Sequence, residues 1–132
     1  MSGNYTGRGN NAGPATEFFP LSGATASSPG ILITATTATG GGTTIHTADA
    51  NAQDVLFITI SNVSAAALTG HVNLGSLATT GNIQKSISAA TFEVFSNGNA
   101  SISKSGVVSG WTTASTGLYV YGYVARTYTA TS

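Results

Sequence analysis

Between residues 116 and 126 the chain alternates. Leu118, Val120 and Val124 fall on one side of an extended backbone, and Tyr119, Tyr121 and Tyr123 on the other. A period of two in sheet-favouring residues predicts a β-strand with two unlike faces. The aliphatic face is expected to pack on a core, which makes this last strand central. The tyrosine face offers flat rings with polar tips, suited to a covering partner surface. No stretch of helical period matches it in quality.

Earlier runs repeat the extended pattern. β-branched residues predict strands over 31–37 and 43–48, separated by glycines at 40–42. The most apolar strand is expected over 55–62, with Leu56, Ile58 and Ile60 on one face and Val55 and Phe57 on the other. Apolar residues on both faces at its start imply burial on both sides there. Further strands are expected over 68–74, 82–88, 91–95, 100–103 and 107–111, with Asn97-Gly98 as a hairpin signal. The alanines at 63–67 suit a helical turn without compelling one. Many short strands with frequent turn signals predict an all-β fold, a single β-sandwich or jelly-roll-like domain.

Residues 1–29 differ from the rest. Gly3, Gly7, Gly9, Gly13, Pro14, Pro20 and Pro29 stand among few aliphatics, the composition of an extended N-terminal arm. The sandwich is accordingly expected over 30–132. Within the arm, Phe18, Phe19 and Leu21 form an apolar anchor. It can seat on this domain's own sandwich or on a neighbouring molecule.

Composition adds a constraint on partners. Only 6% of residues are charged and the formal net charge is zero, against roughly 25% charged in ordinary soluble domains. So little surface charge protects a free monomer poorly against self-association and favours an assembly. Arg8, Lys85, Lys104 and Arg126 do not cluster, so no footprint for nucleic acid is visible. The absence of cysteine excludes disulfides and thiolate metal sites. No apolar run reaches a membrane span, and no secretory signal is read at the N-terminus. The sequons at Asn4, Asn62 and Asn99 are therefore discounted.

Candidate chemistry is sparse. His46 with Asp49 or Asp54 could supply the His–carboxylate half of a triad, but no Gly-x-Ser-x-Gly elbow selects a serine. His46 and His71 lack a metal-ligand spacing. Glu17, Asp49, Asp54 and Glu93 are scattered, with no pairing for glycoside chemistry. The expectation is no catalytic residue, no metal and no cofactor. Trp111 could stack on a sugar, though core or subunit interface is the favoured reading. Tyr119, Tyr121 and Tyr123 could form a ligand platform or a solvent-side ladder; a subunit interface is favoured, with Gly122 allowing close backbone approach.

Three segments carry a resemblance: Thr43-Thr-Ile-His-Thr-Ala48, the strand over 55–62 ending in Asn62, and Val120-Tyr-Gly-Tyr-Val-Ala-Arg126. Across roughly residues 31–126 the chain resembles small virion structural proteins of tailed bacteriophages. The resemblance implies a non-enzymatic decoration (cement) protein, made in the host cytoplasm and mounted on the outside of the capsid, often as a homotrimer. Its partners are then the major capsid protein and its own copies, with no direct nucleic acid and no membrane. Phe18, Phe19 and Leu21 would contact the capsid or a sister subunit. Two rival readings differ in what they require. A tail- or head-fibre adhesin for host glycans needs an exposed, concave aromatic site, and a glycan-cleaving enzyme needs two convergent carboxylates.

Overall fold

The computed structural model describes residues 16–38, 41–74, 82–96 and 106–128. These residues form nine strands and, among them, no helix: β1 (Thr16–Pro20), β2 (Ile31–Leu32), β3 (Thr43–Thr47), β4 (Ala52–Asn62), β5 (Leu68–Leu74), β6 (Asn82–Ile87), β7 (Thr91–Ser96), β8 (Val107–Thr112) and β9 (Leu118–Tyr128). All pairings are antiparallel. One sheet runs β1-β9-β4-β7, with β2 also on β9; the other runs β3-β8-β5-β6. The two sheets pack face to face as a β-sandwich.

The core follows from alternation. On β4, Ala52, Asp54, Leu56, Ile58, Ile60 and Asn62 all point inward. On β9, Leu118, Val120 and Val124 do so, each at most 2% exposed. Ile45, Val72, Ile87 and Val108 meet them from the other sheet, and Ile33 joins them from the chain just beyond β2. Fully burying one such aliphatic contributes roughly 1.5–3 kcal/mol, so this stripe dominates stability. As expected from the sequence, β9 is central: β4 lines one edge over its whole length, while β1 and β2 share the other.

Several expectations change. The sandwich takes in residues assigned to the arm, because 16–20 pair with β9 and Leu21 is 1% exposed in the core. The domain boundary at residue 30 therefore moves back at least to Thr16. The first predicted strand, 31–37, shortens to Ile31–Leu32, because the chain leaves the β9 edge there. Ile33 still donates its N–H to the Leu118 carbonyl, and Ala35 accepts from Thr112 of the other sheet. Residues 63–67 form no helix: the Asn62 side chain accepts from the Ser64 N–H and Oγ, holding a bend instead. Val55 and Phe57 are only half-buried on the outer side of β4, not covered on both sides. The rest of the arm, the 40–42 turn in part, the Asn97-Gly98 turn and the strand over 100–103 lie outside the described residues.

Candidate functional site

Two features could carry function, and they lie on opposite sides of the first sheet. The first is an inward-facing charge cluster. A bulge in β3 places one extra residue between Thr44, opposite Ser109, and His46, opposite Val108. Strict alternation would send Ile45 and His46 to opposite faces; the bulge turns both inward, at 0% and 1% exposure.

His46 Nδ1 accepts from the Ser22 N–H at 3.0 Å, so Nε2 carries the ring proton and donates to Asp54 Oδ2 at 2.6 Å. Arg126 grips the same carboxylate with both Nε, at 2.8 Å to Oδ1, and an Nη, at 3.0 Å to Oδ2. Phe19 lies under the guanidinium, 4.4 Å from ring centroid to Cζ. Burial by itself pushes the Asp54 carboxyl up, but the hydrogen bonds from Arg126 and His46 and the charge of Arg126 outweigh it and hold it below the usual carboxylate range. The bond to Asp54 chiefly raises Arg126 above its ordinary value.

Both nitrogens of His46 are engaged and its ring is shut from solvent, so the His–carboxylate pair is turned toward structure rather than toward a substrate. Asp49 lies 3.8 Å from Arg126, which places two of the scattered carboxylates around one guanidinium. His71 is elsewhere, stacked on Trp111 at 4.9 Å and 8°. Among the described residues, no three His, Cys, Asp or Glu side chains gather as metal ligands.

The second feature is the outer face of the first sheet. Phe18, Phe92 and Val94 are 70%, 63% and 74% exposed, and Tyr121 and Tyr123 are 41% and 44% exposed. The rings are ordered against one another. Tyr123 stacks on Phe57 at 5.2 Å and meets Phe18 edge-on at 5.7 Å, while Tyr119 and Tyr121 lie 6.5 Å apart. The register sets this arrangement, since Phe57 faces Tyr123 across β4–β9 and Pro20 faces it across β1–β9. The described side chains of this face carry no charge.

The predicted site residues thus divide. Alternation splits the arm anchor: Phe18 faces outward, whereas Phe19 and Leu21 pack into this domain's own sandwich. Leu21 and Phe19 therefore seat on this domain itself and not on a neighbouring molecule. Tyr119, Tyr121 and Tyr123 share the outer face. Trp111 does not join them. It is 8% exposed, on the other sheet, facing away from the inter-sheet core and covered on one side by His71. Phe57, Phe92 and Val94 were not singled out from the sequence, although their alternation with inward Ile58, Ile60 and Glu93 was a usable signal.

On the far margin a cleft of about 160 Å³ opens between the sheets, lined by Ile60, Val72, Ile83, Lys85 and Glu93. Its one ion pair, Lys85–Glu93 at 4.0 Å, is solvent-exposed. No family model matches the chain, and no curated protein or solved structure matches it.

Proposed function

We propose that the chain is a non-enzymatic structural protein of a tailed-phage virion, a decoration protein that sits on the outside of the head and braces the joints between major capsid subunits. The observation that carries this reading is the uncharged aromatic and aliphatic face of Phe18, Phe57, Phe92, Val94, Tyr121 and Tyr123. Contiguous exposed apolar surface of this kind belongs to an interface. Aromatic rings held by their neighbours lose little conformational entropy on docking.

The strand order supports the finer architecture. Setting β1 aside, β2-β9-β4-β7 faces β3-β8-β5-β6, which we read as a jelly roll, an arrangement shared by viral capsid and lectin domains. Architecture alone does not choose between those roles. The sequence resemblance tips it to the virion and implies a homotrimer, and the 6% charge content favours a protein that lives inside an assembly. Many copies, each burying a modest face, then add up through the symmetry of the shell. No catalytic step, cofactor or metal enters this mechanism.

A second reading is a tail- or head-fibre module that binds host glycans. The exposure of Tyr121 beside a concavity favours it.

Electron microscopy of purified virions with a gold-labelled antibody to this protein separates the readings. Label spread evenly over the head supports the decoration role. Label on the tail tip or fibres replaces it with the adhesin, and unlabelled virions remove the virion assignment.

A further inference from the structure

The outer edge of β9 is built in two pieces with a gap between them. β1 pairs with 123–127 and β2 with 119–120, so Tyr121 and Gly122 have no strand beside them on that edge. The connector over 21–30 runs around the gap and leaves a notch of about 290 Å³, lined by Pro20, Ala24, Thr25, Pro29, Tyr121 and Gly122. That is close to the lower limit of ligand pockets, roughly 300 Å³, and fits one small ring rather than an extended chain.

The walls are preorganised. The Tyr121 ring lies against the main chain of Gly30, where an added Cβ would come within 2.6 Å of it. Thr25 and Ser28 exchange two main-chain hydrogen bonds, at 3.0 and 3.1 Å, which closes the connector into a tight turn. Proline rings at both ends fix the local backbone. At the floor, Gly122 has φ 151°, a conformation closed to other residues, and a Cβ there would run into the Phe57 carbonyl.

The chemistry of the lining narrows the ligand. None of its side chains is charged, so phosphates, carboxylates and ammonium groups would find no counter-charge. The lining offers an aromatic face, apolar prolines and alanines, the Thr25 hydroxyl and main-chain groups. Ile33 bonds to the Leu118 carbonyl across this same edge. Ladder alternation therefore aims the Gly122 N–H the same way, toward the notch. A neutral molecule with one apolar face and a hydroxylated rim matches that combination.

We propose that this notch binds a neutral saccharide, one pyranose ring of a glycan, with its C–H face on Tyr121 and its hydroxyls toward Thr25 and the Gly122 N–H. The inference rests on the second, glycan-binding reading and stands apart from the shell reading. Tyr121 can meet a saccharide only where its face is open, so the free full-length protein is the species to test.

The test is a titration of the ¹⁵N-labelled full chain with the methyl glycosides of glucose, galactose, mannose and N-acetylglucosamine, followed by amide chemical shifts. At least one sugar should give saturable shifts at Thr25, Tyr121 and Gly122, with a dissociation constant on the order of millimolar. Tyr121→Ala should weaken it about tenfold and Tyr121→Phe less than about threefold, since the ring face is kept. Thr25→Ala, in a surface turn, should weaken it about fivefold, as a lost hydrogen bond does. Three results overturn the proposal: no saturable shift at these amides with any of the four sugars, shifts centred on Phe92 and Val94, or unchanged affinity in folded Tyr121→Ala and Thr25→Ala. The location of gold label on virions is a separate result, so failure of either idea leaves the other standing.

Discussion

His46 Nε2 stands 2.6 Å from Asp54 Oδ2, and both side chains are closed off from solvent. The pair joins the two sheets, because His46 belongs to β3 of one and Asp54 to β4 of the other. Arg126 of β9 completes it from the first sheet, and Ser22 holds the free ring nitrogen from the β1–β2 connector. Three strands therefore meet at one carboxylate, and the connector joins them through His46. Removing the carboxylate should leave the imidazole N–H without its acceptor and the largely buried guanidinium without its principal one. Asp54→Ala is expected to destabilise the fold by about 3–5 kcal/mol, in line with breaking a buried ion pair. Urea denaturation measures this, and a loss under about 1 kcal/mol would show the cluster to be incidental.

The same carboxylate sets an acid dependence. Its folded-state value lies below the ordinary range, so its contribution is full above the unfolded value of about 3.9 and is lost as pH falls through the lower folded value. The urea midpoint should therefore drop as the pH falls below about 4. Asp54→Asn, less stable at neutral pH, should show a flatter profile over that window. Parallel profiles for the two proteins would assign the acid sensitivity to other groups.

At the opposite end of β4, Asn62 plays the corresponding part for β6. Its side-chain amide donates to the Ala66 and Ile87 carbonyls, each at 2.9 Å, while its Oδ1 accepts from Ser64. Asn62→Leu should cost about 2–4 kcal/mol, since at least one buried carbonyl loses its donor. Amide exchange at the end of β6 should quicken in that variant more than in β8. The burial of Asn62 also means that this sequon asparagine is engaged within the fold.

Gly122 tests the backbone. Gly122→Ala is expected to cost about 3 kcal/mol or more, because positive φ and the Phe57 carbonyl both exclude a Cβ. Thermal unfolding reads this directly. Retention of the wild-type midpoint would show that β9 has room to readjust.

The outer face should behave in the opposite way. Phe18→Ser and Val94→Ser remove exposed side chains, so each should change monomer stability by less than about 1 kcal/mol. Both should nevertheless weaken self-association in sedimentation experiments and attachment to heads. Unchanged assembly in the double variant would remove this face from the proposed contact.

Alternation by itself determined most of the sandwich. The inward rows of β4 and β9, and the outward tyrosines, follow from a period of two that one buried face enforces on every residue of a strand. β5 was legible to the residue for the same reason. Composition under-reads residues 16–21, because it reports what a segment can bury alone. Phe19 and Leu21 bury against surface that β9 and the core supply.

The charge cluster was out of reach for a related reason. His46, Asp54 and Arg126 were each visible, and two of them lie in the segments that carry the resemblance. Their meeting, however, depends on one extra residue in β3 and on which strands become neighbours. A bulge shifts facing without changing composition, and strand order is set by the packing of whole sheets. Only the tertiary structure could turn His46 inward, split Phe18 from Phe19 and open the gap beside Tyr121.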